Sequence, residues 1–432
     1  MKNSGRHFNI CWWAMCTTSR SVERLLADIR DLVPIITLRA AEIEQARQIP
    51  LDLVNALRSV GIFRMFVAKS HGGLELDLPA GLQVIAALSR IEASVGWAAM
   101  IGCIAPMFAA WLPRQSVDRV YRDGPDVVLA GSSIPASRAE AVMDGFRVNG
   151  RWPFTSGCQY ADWMFGFCAM TEGSIPLADQ IGPPRVRAVV LSVREWQIED
   201  TWHAIGLKGT GSHDIVLKDA TASEADLLDL ETGAPCLPGP IYQSVPHLLP
   251  LFHGAFAVGV AEGALDDPVM LAESGRQQFK ASVPMRDSEI FQFELGQISA
   301  DARAACALLE TQGASHWRHA LARTLRDDTL FAQGTQTGTW ASTTCVRVVD
   351  ACFTLAGGGA VYENSSLQRR LRDVHTGAQH ATVQRRHYGA AGVAALAQFR
   401  DRELSRLDDH TFQDIGLTSS ALLRETMKPF WR

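Results

Sequence analysis

The chain has 432 residues, is 47% hydrophobic and carries a net charge of −5 at neutral pH. That length supports a large core and two or three structural units. The acidic balance argues against a nucleic-acid protein, which presents a basic face. No apolar run in the sequence approaches the ~20 residues of a bilayer span. Phe8–Met15, the nearest N-terminal candidate, is short, interrupted by Asn9 and lacks a small-residue cleavage site, so no signal peptide is expected. The nine cysteines are scattered and contain no C-x-x-C. No disulfide framework or metal site is expected from them, and a reducing cytoplasm fits best.

In chain order, residues 1–19 read as a disordered leader. Residues 20–126 read as a helical domain. Val22 to Ile29 and the set Leu53, Val54, Leu57 and Val60 repeat at helical spacing, with Pro50 suited to a first turn and Gly61 to a stop. His71-Gly72-Gly73 is a loop, and Pro79 opens an apolar helix through Ile91. Residues 127–230 change to a β domain. Asp144-Gly145 and Asn149-Gly150, set between alternating apolar residues, both predict hairpin turns. Residues 231–396 return to helical spacing and predict a four-helix bundle. Its helices are a small-residue helix through Gly254–Gly263, a long one over Asp287–Leu309, a third over Thr335–Leu355 ended by Gly357-Gly358-Gly359, and a fourth from Leu367 to about Leu396. The whole is an α+β chain.

Several segments in this order resemble the acyl-CoA dehydrogenase superfamily over roughly residues 22–396. They are Arg64–Val67 with His71-Gly72-Gly73, Ala93-Ser94-Val95-Gly96-Trp97, Arg151-Trp152-Pro153-Phe154-Thr155-Ser156-Gly157, and Thr201-Trp202 through Thr210-Gly211-Ser212. The stretch Leu367–Asp373 followed by His380 is closest to the two-component flavin hydroxylases of that superfamily. The resemblance implies a flavin cofactor, and the residue types suit one. An isoalloxazine ring needs hydroxyls and backbone donors along its polar edge and apolar walls on its faces. Ser156, Thr210 and Ser212 offer hydroxyls beside glycines, and Trp152, Phe154 and Trp202 are expected to wall the ring. The resemblance adds Arg372 to the flavin contacts. It also brings Gly357 and Gly358 toward flavin held by a neighbouring subunit, which implies a homotetramer or at least a dimer.

Two departures shape the expected reaction. Dehydrogenases of this superfamily commonly carry a glutamate in a Tyr-Glu-Gly-Thr stretch after the last Arg-Asp pair. Here no carboxylate follows Arg372-Asp373 before Leu396, and Glu363 lies ahead of the helix. The fourth helix instead places Asp373, Thr376, His380 and His387 on one expected face. A histidine exchanges protons near neutral pH, as an oxygenase requires, so His380 and Asp373 are the expected catalytic residues. The second departure is Ala105. It stands where the resemblance places a second histidine in phenol-oxidising relatives, so indoles, thioethers and amines stay open as substrates.

The expected function is thus an oxygenase component that takes reduced FMN or FAD from a separate reductase and uses O2 on a small apolar or aromatic molecule. No G-x-G-x-x-G fingerprint offers an NADH site. An acyl-CoA dehydrogenase-type FAD enzyme and a non-catalytic binding protein on the same fold remain as alternatives. Residues 397–432 resemble a short YjiS-like helical domain. With six Lys/Arg and six Asp/Glu from Phe399 onward, this tail has no net charge for binding phosphates.

Overall fold

The computed structural model describes residues 20–177 and 184–406. The N-terminal part comprises α1 (Arg20–Leu38), α2 (Ala40–Ala46), α3 (Leu51–Val60), α4 (Leu78–Ile91), α5 (Ala93–Ala109) and α6 (Arg114–Val120). Local chemistry sets several of these limits. Pro50 precedes α3 and Gly61, at φ +94°, ends it in the left-handed region that glycine enters freely. Asp77 caps α4 by accepting the Ala80 N–H at 2.8 Å, with Pro79 in the first turn.

An eight-stranded sheet follows, built from β1 (Leu129–Val142), β2 (Gly145–Thr155), β3 (Trp163–Glu172), β4 (Ile175–Pro176), β5 (Val186–Ser192), β6 (Gln197–Glu199), β7 (His213–Ala222) and β8 (Leu227–Leu228). Its order is β6-β7-β2-β1-β3-β5-β8, with β4 on β3. The β1–β3 pair is parallel, and the other pairs are antiparallel. Asp144-Gly145 turns β1 into β2, with Val142 opposite Gly145. Asn149-Gly150 makes no turn. It lies inside β2, at a register shift against β7. A Cβ on Gly150 would sit 1.8 Å from the Ser137 hydroxyl oxygen, so close strand approach accounts for this glycine.

The C-terminal part holds α7 (Val245–Glu273), α8 (Glu289–Leu321), α9 (Asp328–Ala356), α10 (Ser366–Gly377) and α11 (His387–Arg406). Helix α7 is the bundle's centre. Its glycines let neighbours approach: Gly254 meets Leu309 of α8 and Gly338 of α9, and Gly259 lies against the Ala86 carbonyl of α4. By length and composition α7 and the 328–361 segment are apolar enough to cross a membrane, against the expectation from the sequence, although the apolar stretch of α7 is 94% buried inside the protein.

The expected single helix from Leu367 to Leu396 is broken. Helix α10 stops at Gly377, and His380 caps a short 3-10 turn over Ala381–Val383 before α11 begins at His387. The His380 side chain accepts the Thr382 N–H at 3.3 Å, an alternative to the helical ladder that turns the chain here. The shared face of Asp373, Thr376, His380 and His387 therefore does not exist, since it assumed one continuous helix. Helix α11 also runs through the expected boundary at residue 396. The YjiS-like reading of the remaining tail, and the leader, lie outside the described residues. Among the described cysteines six are free and Cys306 is disulfide-bonded.

The α4–α7 crossing gives a direct test of the packing. A Cβ at Gly259 would lie 2.2 Å from the Ala86 carbonyl oxygen and 2.8 Å from Ser89 Cβ. Gly259→Ala should destabilise the fold by about 1–3 kcal/mol, the usual cost of overpacking. An unchanged thermal midpoint would show that the two helices separate without cost.

Candidate functional site

A one-way row of hydrogen bonds starts at α5 and ends in the segment between β6 and β7. The Trp97 indole N–H donates to Ser156 Oγ at 3.1 Å. Ser156 Oγ and Ser212 Oγ are 2.7 Å apart, as are Ser212 Oγ and Thr210 Oγ1. The Thr210 hydroxyl donates to the Leu207 carbonyl at 2.7 Å. Because that last bond fixes the direction, Ser212 donates to Thr210 and Ser156 to Ser212. Bonds aligned in one sense polarise each other in a buried site. Ser156, Ser212 and Thr210 are all buried.

Beside the row stands an aromatic wall. Phe154 is 61% exposed and meets Trp202 edge-on at 6.2 Å. Phe154 holds φ at +64°, a conformation uncommon for a bulky residue and one that marks functional positions when the surroundings enforce it. The Trp202 indole N–H donates to the Leu207 carbonyl at 2.9 Å. Hydroxyls along one edge and exposed aromatic faces beside them are what a flavin ring requires.

The 201–212 segment is held from three sides. His213 Nδ1 accepts the N–H groups of Thr201 and Trp202 at 3.1 and 3.2 Å. Arg372 donates to the Ile205 carbonyl at 2.7 Å and pairs with Glu44 of α2 at 2.6 Å. Asp373 accepts the Leu207 N–H through Oδ1. Gly206 admits α10, since a Cβ there would lie 2.2 Å from the Arg372 carbonyl oxygen.

Asp373 is buried, and its Oδ2 has no hydrogen-bond partner among the described residues. Nearby cations are engaged elsewhere: Arg369 with Glu92 at 3.2 Å and Arg372 with Glu44. Burial, helped by the Glu92 charge, pushes the Asp373 carboxyl up to about 7.

Two imidazoles adjoin Trp97. His380 stacks on His253 of α7 with ring centroids 4.1 Å apart and planes at 24°. The Trp97 ring meets His253 at 5.3 Å, His380 at 5.8 Å and Phe256 at 5.0 Å, each near edge-on. Burial lowers the His253 imidazole to about 4, and burial beside His253 holds His380 well below the usual range. Both rings are neutral at pH 7.

The structure thus joins Ser156, Ser212 and Thr210 in one row from Trp97, with Phe154 and Trp202 against each other beside it and His380 against Trp97, and it places the other expected residues differently. Trp152 is fully buried within the sheet, its indole N–H donating to the Phe167 carbonyl at 2.7 Å and its ring against Trp196, so it walls nothing in this chain. Strand alternation turns it to the core. Arg372 and Asp373 bond to the 201–212 segment, and Asp373 makes no hydrogen bond to His380. Gly357 and Gly358 close α9, and a Cβ on either would meet nothing within 4 Å. His375 pairs with Asp350 at 2.8 Å. Sequence reasoning missed His253. Only its place in an apolar helical run was visible, and nothing in that run distinguishes a site residue from a core one.

Helices, a sheet and a bundle enclosing this hydroxyl row and aromatic wall define a flavin-dependent oxidoreductase. Two family models match the chain: acyl-CoA dehydrogenase, N-terminal domain, over residues 25–112, and acyl-CoA dehydrogenase, C-terminal domain, over residues 251–385. Indole-3-acetate monooxygenase from Pseudomonas putida is 31% identical over 377 residues, 86% of this chain and 92% of that protein. The oxygenase component of FADH(2)-dependent resorcinol hydroxylase from a Rhizobium species is 27% identical, over 83% of this chain and 90% of its own length. The structure of XiaF from a Streptomyces species, in complex with FADH2 and glycerol, superposes with a TM-score of 0.81 at 23% identity, covering 87% of this chain and 95% of that one. The chain belongs to the acyl-CoA dehydrogenase family and, within it, to the oxygenase components of flavin-dependent monooxygenases.

The Asp373 environment has a defined pH signature. An unfolded aspartate ionises near ~3.9, whereas the folded carboxyl keeps its proton to about 7. Between these values the folded state binds more protons, so stability falls as pH rises and the cost is complete above the folded value. Asp373→Asn keeps an acceptor for the Leu207 N–H without that cost. Its melting temperature relative to the parent should climb from pH 5 to pH 8. A difference that stays constant with pH would show that Asp373 is ionised throughout.

Proposed function

We propose that this oxygenase component takes reduced FMN or FAD from a separate reductase and, with O2, places an oxygen atom on a small aromatic or heteroaromatic molecule. The observation that carries this reading is the hydroxyl row from Trp97 to Leu207, set beside two neutral imidazoles and an exposed aromatic wall. Reduced flavin supplies the electron pair and the centre at which O2 is activated. The rest falls to the chain. Ser156, Ser212 and Thr210 would hold the ring's polar edge, and Phe154 and Trp202 one of its faces. Ser156 can turn its hydroxyl from Ser212 toward the ring while still accepting from Trp97.

His380 is suited to oxygen rather than to carbon acid chemistry. Its Nδ1 accepts the Thr382 N–H, so in the neutral ring the hydrogen sits on Nε2, where it can donate. No described carboxylate occupies that place, since Asp373 faces Leu207 and Glu363 is exposed. An enzyme drawing a proton from carbon needs such a base. Trp97, Phe256 and the imidazole stack keep water from this side of the site.

The reading extends to a homotetramer or at least a dimer. Val361 and Tyr362, next to the Gly357–Gly359 segment, are 63% and 67% exposed, and Val393, Leu396 and Phe399 leave apolar surface on α11. Sedimentation should find no active monomer at assay concentration.

Two substitutions test the chemistry. Ser156→Ala should weaken flavin binding by about 1–2 kcal/mol, the loss of one hydrogen bond in a buried site. An unchanged flavin dissociation constant would confine Ser156 to the protein's own network. His380→Ala should leave flavin affinity nearly intact and divert reduced flavin to hydrogen peroxide. Oxygen transfer should fall on the order of 10²- to 10⁴-fold. Stopped-flow mixing of the reduced-flavin complex with O2, with product and peroxide counted together, reads this directly. Product per reduced flavin equal to the parent's would remove His380 from the chemistry.

A further inference from the structure

The loop of residues 69–73, between α3 and α4, belongs to no site described so far, although its His71-Gly72-Gly73 stands out in the sequence. Its backbone is pinned. The N–H groups of His71, Gly72 and Gly73 donate to the carbonyls of Ala68, Lys69 and Ala68 at 2.9, 3.1 and 3.1 Å. The Lys69 N–H donates to Glu75 Oε2 at 3.0 Å. The His71 side chain is 8% exposed, and its ring packs against Tyr121, just past α6, with centroids 5.7 Å apart. Ser70 beside it is exposed.

The two nitrogens of His71 have unlike partners. Nε2 lies 2.9 Å from Asp118 Oδ1 on α6, and Nδ1 lies 3.0 Å from Ser70 Oγ. A carboxylate only accepts, so in the neutral ring the hydrogen is on Nε2, and the bare Nδ1 accepts the Ser70 O–H. The His71 N–H, with Arg114 at 2.9 Å, holds the Asp118 carboxyl below its usual range and keeps it ionised. Hydroxyl, imidazole and carboxylate thus stand in line, the order that makes a serine nucleophilic. Ser244 and His247 show the contrast. Their side chains are 2.7 Å apart, but Ser244 is buried and the far nitrogen of His247 has no partner among the described residues. The Ser70 line is incomplete for turnover. A hydrolase also needs donors for the oxyanion, each of which contributes on the order of 10²- to 10³-fold. The loop N–H groups of His71, Gly72 and Gly73 are spent inside the turn. Ser70 is therefore equipped to take an acyl group but not to pass it quickly to water.

We propose that Ser70 is an acyl-acceptor site, a serine activated by His71 and Asp118 and modified by activated esters. Ser70 Oγ bonds to the acyl carbon as its hydrogen passes to His71 Nδ1. The bond from that carbon to the leaving group breaks, and the leaving group departs with the electron pair. The imidazolium then gives its proton to water. Nothing is oxidised or reduced, and the step does not rest on the monooxygenase reading, since none of its three groups belongs to the hydroxyl row, the aromatic wall or the 201–212 segment.

The probe is p-nitrophenyl acetate, applied to the full-length protein with and without FMN. Acetylated peptides are identified by tandem mass spectrometry before and after hydroxylamine, which strips esters and leaves amides. Ser70 should carry an ester and should react at least about tenfold faster than any other serine or threonine. The ester should accumulate toward a full equivalent rather than turn over. His71→Phe should slow acylation of Ser70 on the order of 10²-fold, and Asp118→Asn, at a half-exposed position, roughly tenfold. Melting temperature and flavin affinity should match the parent in both. Should His71→Phe fail to fold, Asp118→Asn decides alone. A Ser70 rate no higher than that of other exposed serines, an amide on Lys69 with Ser70 unmodified, or a rate unchanged in the variants would each overturn the proposal. Rapid turnover of the ester would replace the acceptor with a hydrolase.

Discussion

The site depends on the hydrogen-bond row that ties Trp97 on α5 to Ser156 at the end of β2, to Ser212 and Thr210 before β7, and to the Leu207 carbonyl. Three parts of the chain distant in sequence meet there. Every hydroxyl in it is both donor and acceptor, so the row orders the groups that a flavin edge would meet before any ligand arrives. Preorganisation of this kind matters because a site that rearranges on binding loses affinity to the ordering.

The row is anchored at its far end by a group under electrostatic tension. Leu207 receives two hydroxyl or indole donors at its carbonyl, and its N–H goes to Asp373, whose second oxygen is orphaned. Arg369 and Arg372, on the same helix as this carboxylate, pair with Glu92 and Glu44. The protein thus holds the 201–212 segment with a buried carboxylate that is hard to ionise. Stability yields to position, as at many functional sites.

The two imidazoles show how backbone contacts assign chemical roles. Identical side chains become opposite partners because one ring nitrogen of each is committed to the main chain. His253 gives a hydrogen to Leu249 and His380 takes one from Thr382. Their burial favours the uncharged form of both near neutral pH, which leaves hydrogen bonding rather than charge as what they can offer.

Hydrophobic spacing and turn residues were enough to read helices, then strands, then helices, because helical and strand periods are local properties. The hydroxyl set Ser156, Thr210 and Ser212 was legible because each sits beside a glycine in an ordered motif. So was the departure from a dehydrogenase, which needs only the missing carboxylate after Asp373. Four matters were not legible in the sequence pattern. Asn149-Gly150 has the composition of a turn, yet the nearness of Ser137 makes it a strand contact. The helix expected through His380 gives way to a turn, because the imidazole competes for a backbone N–H that helical spacing assigns elsewhere. Trp152, Arg372 and Asp373 lie beside flavin-motif residues in sequence but face the core or the 201–212 segment. His253 joins the site from a stretch with no motif at all. Sequence carries which groups are present, whereas a direction such as that of Asp373 toward Leu207 comes from a contact between residues more than a hundred positions apart.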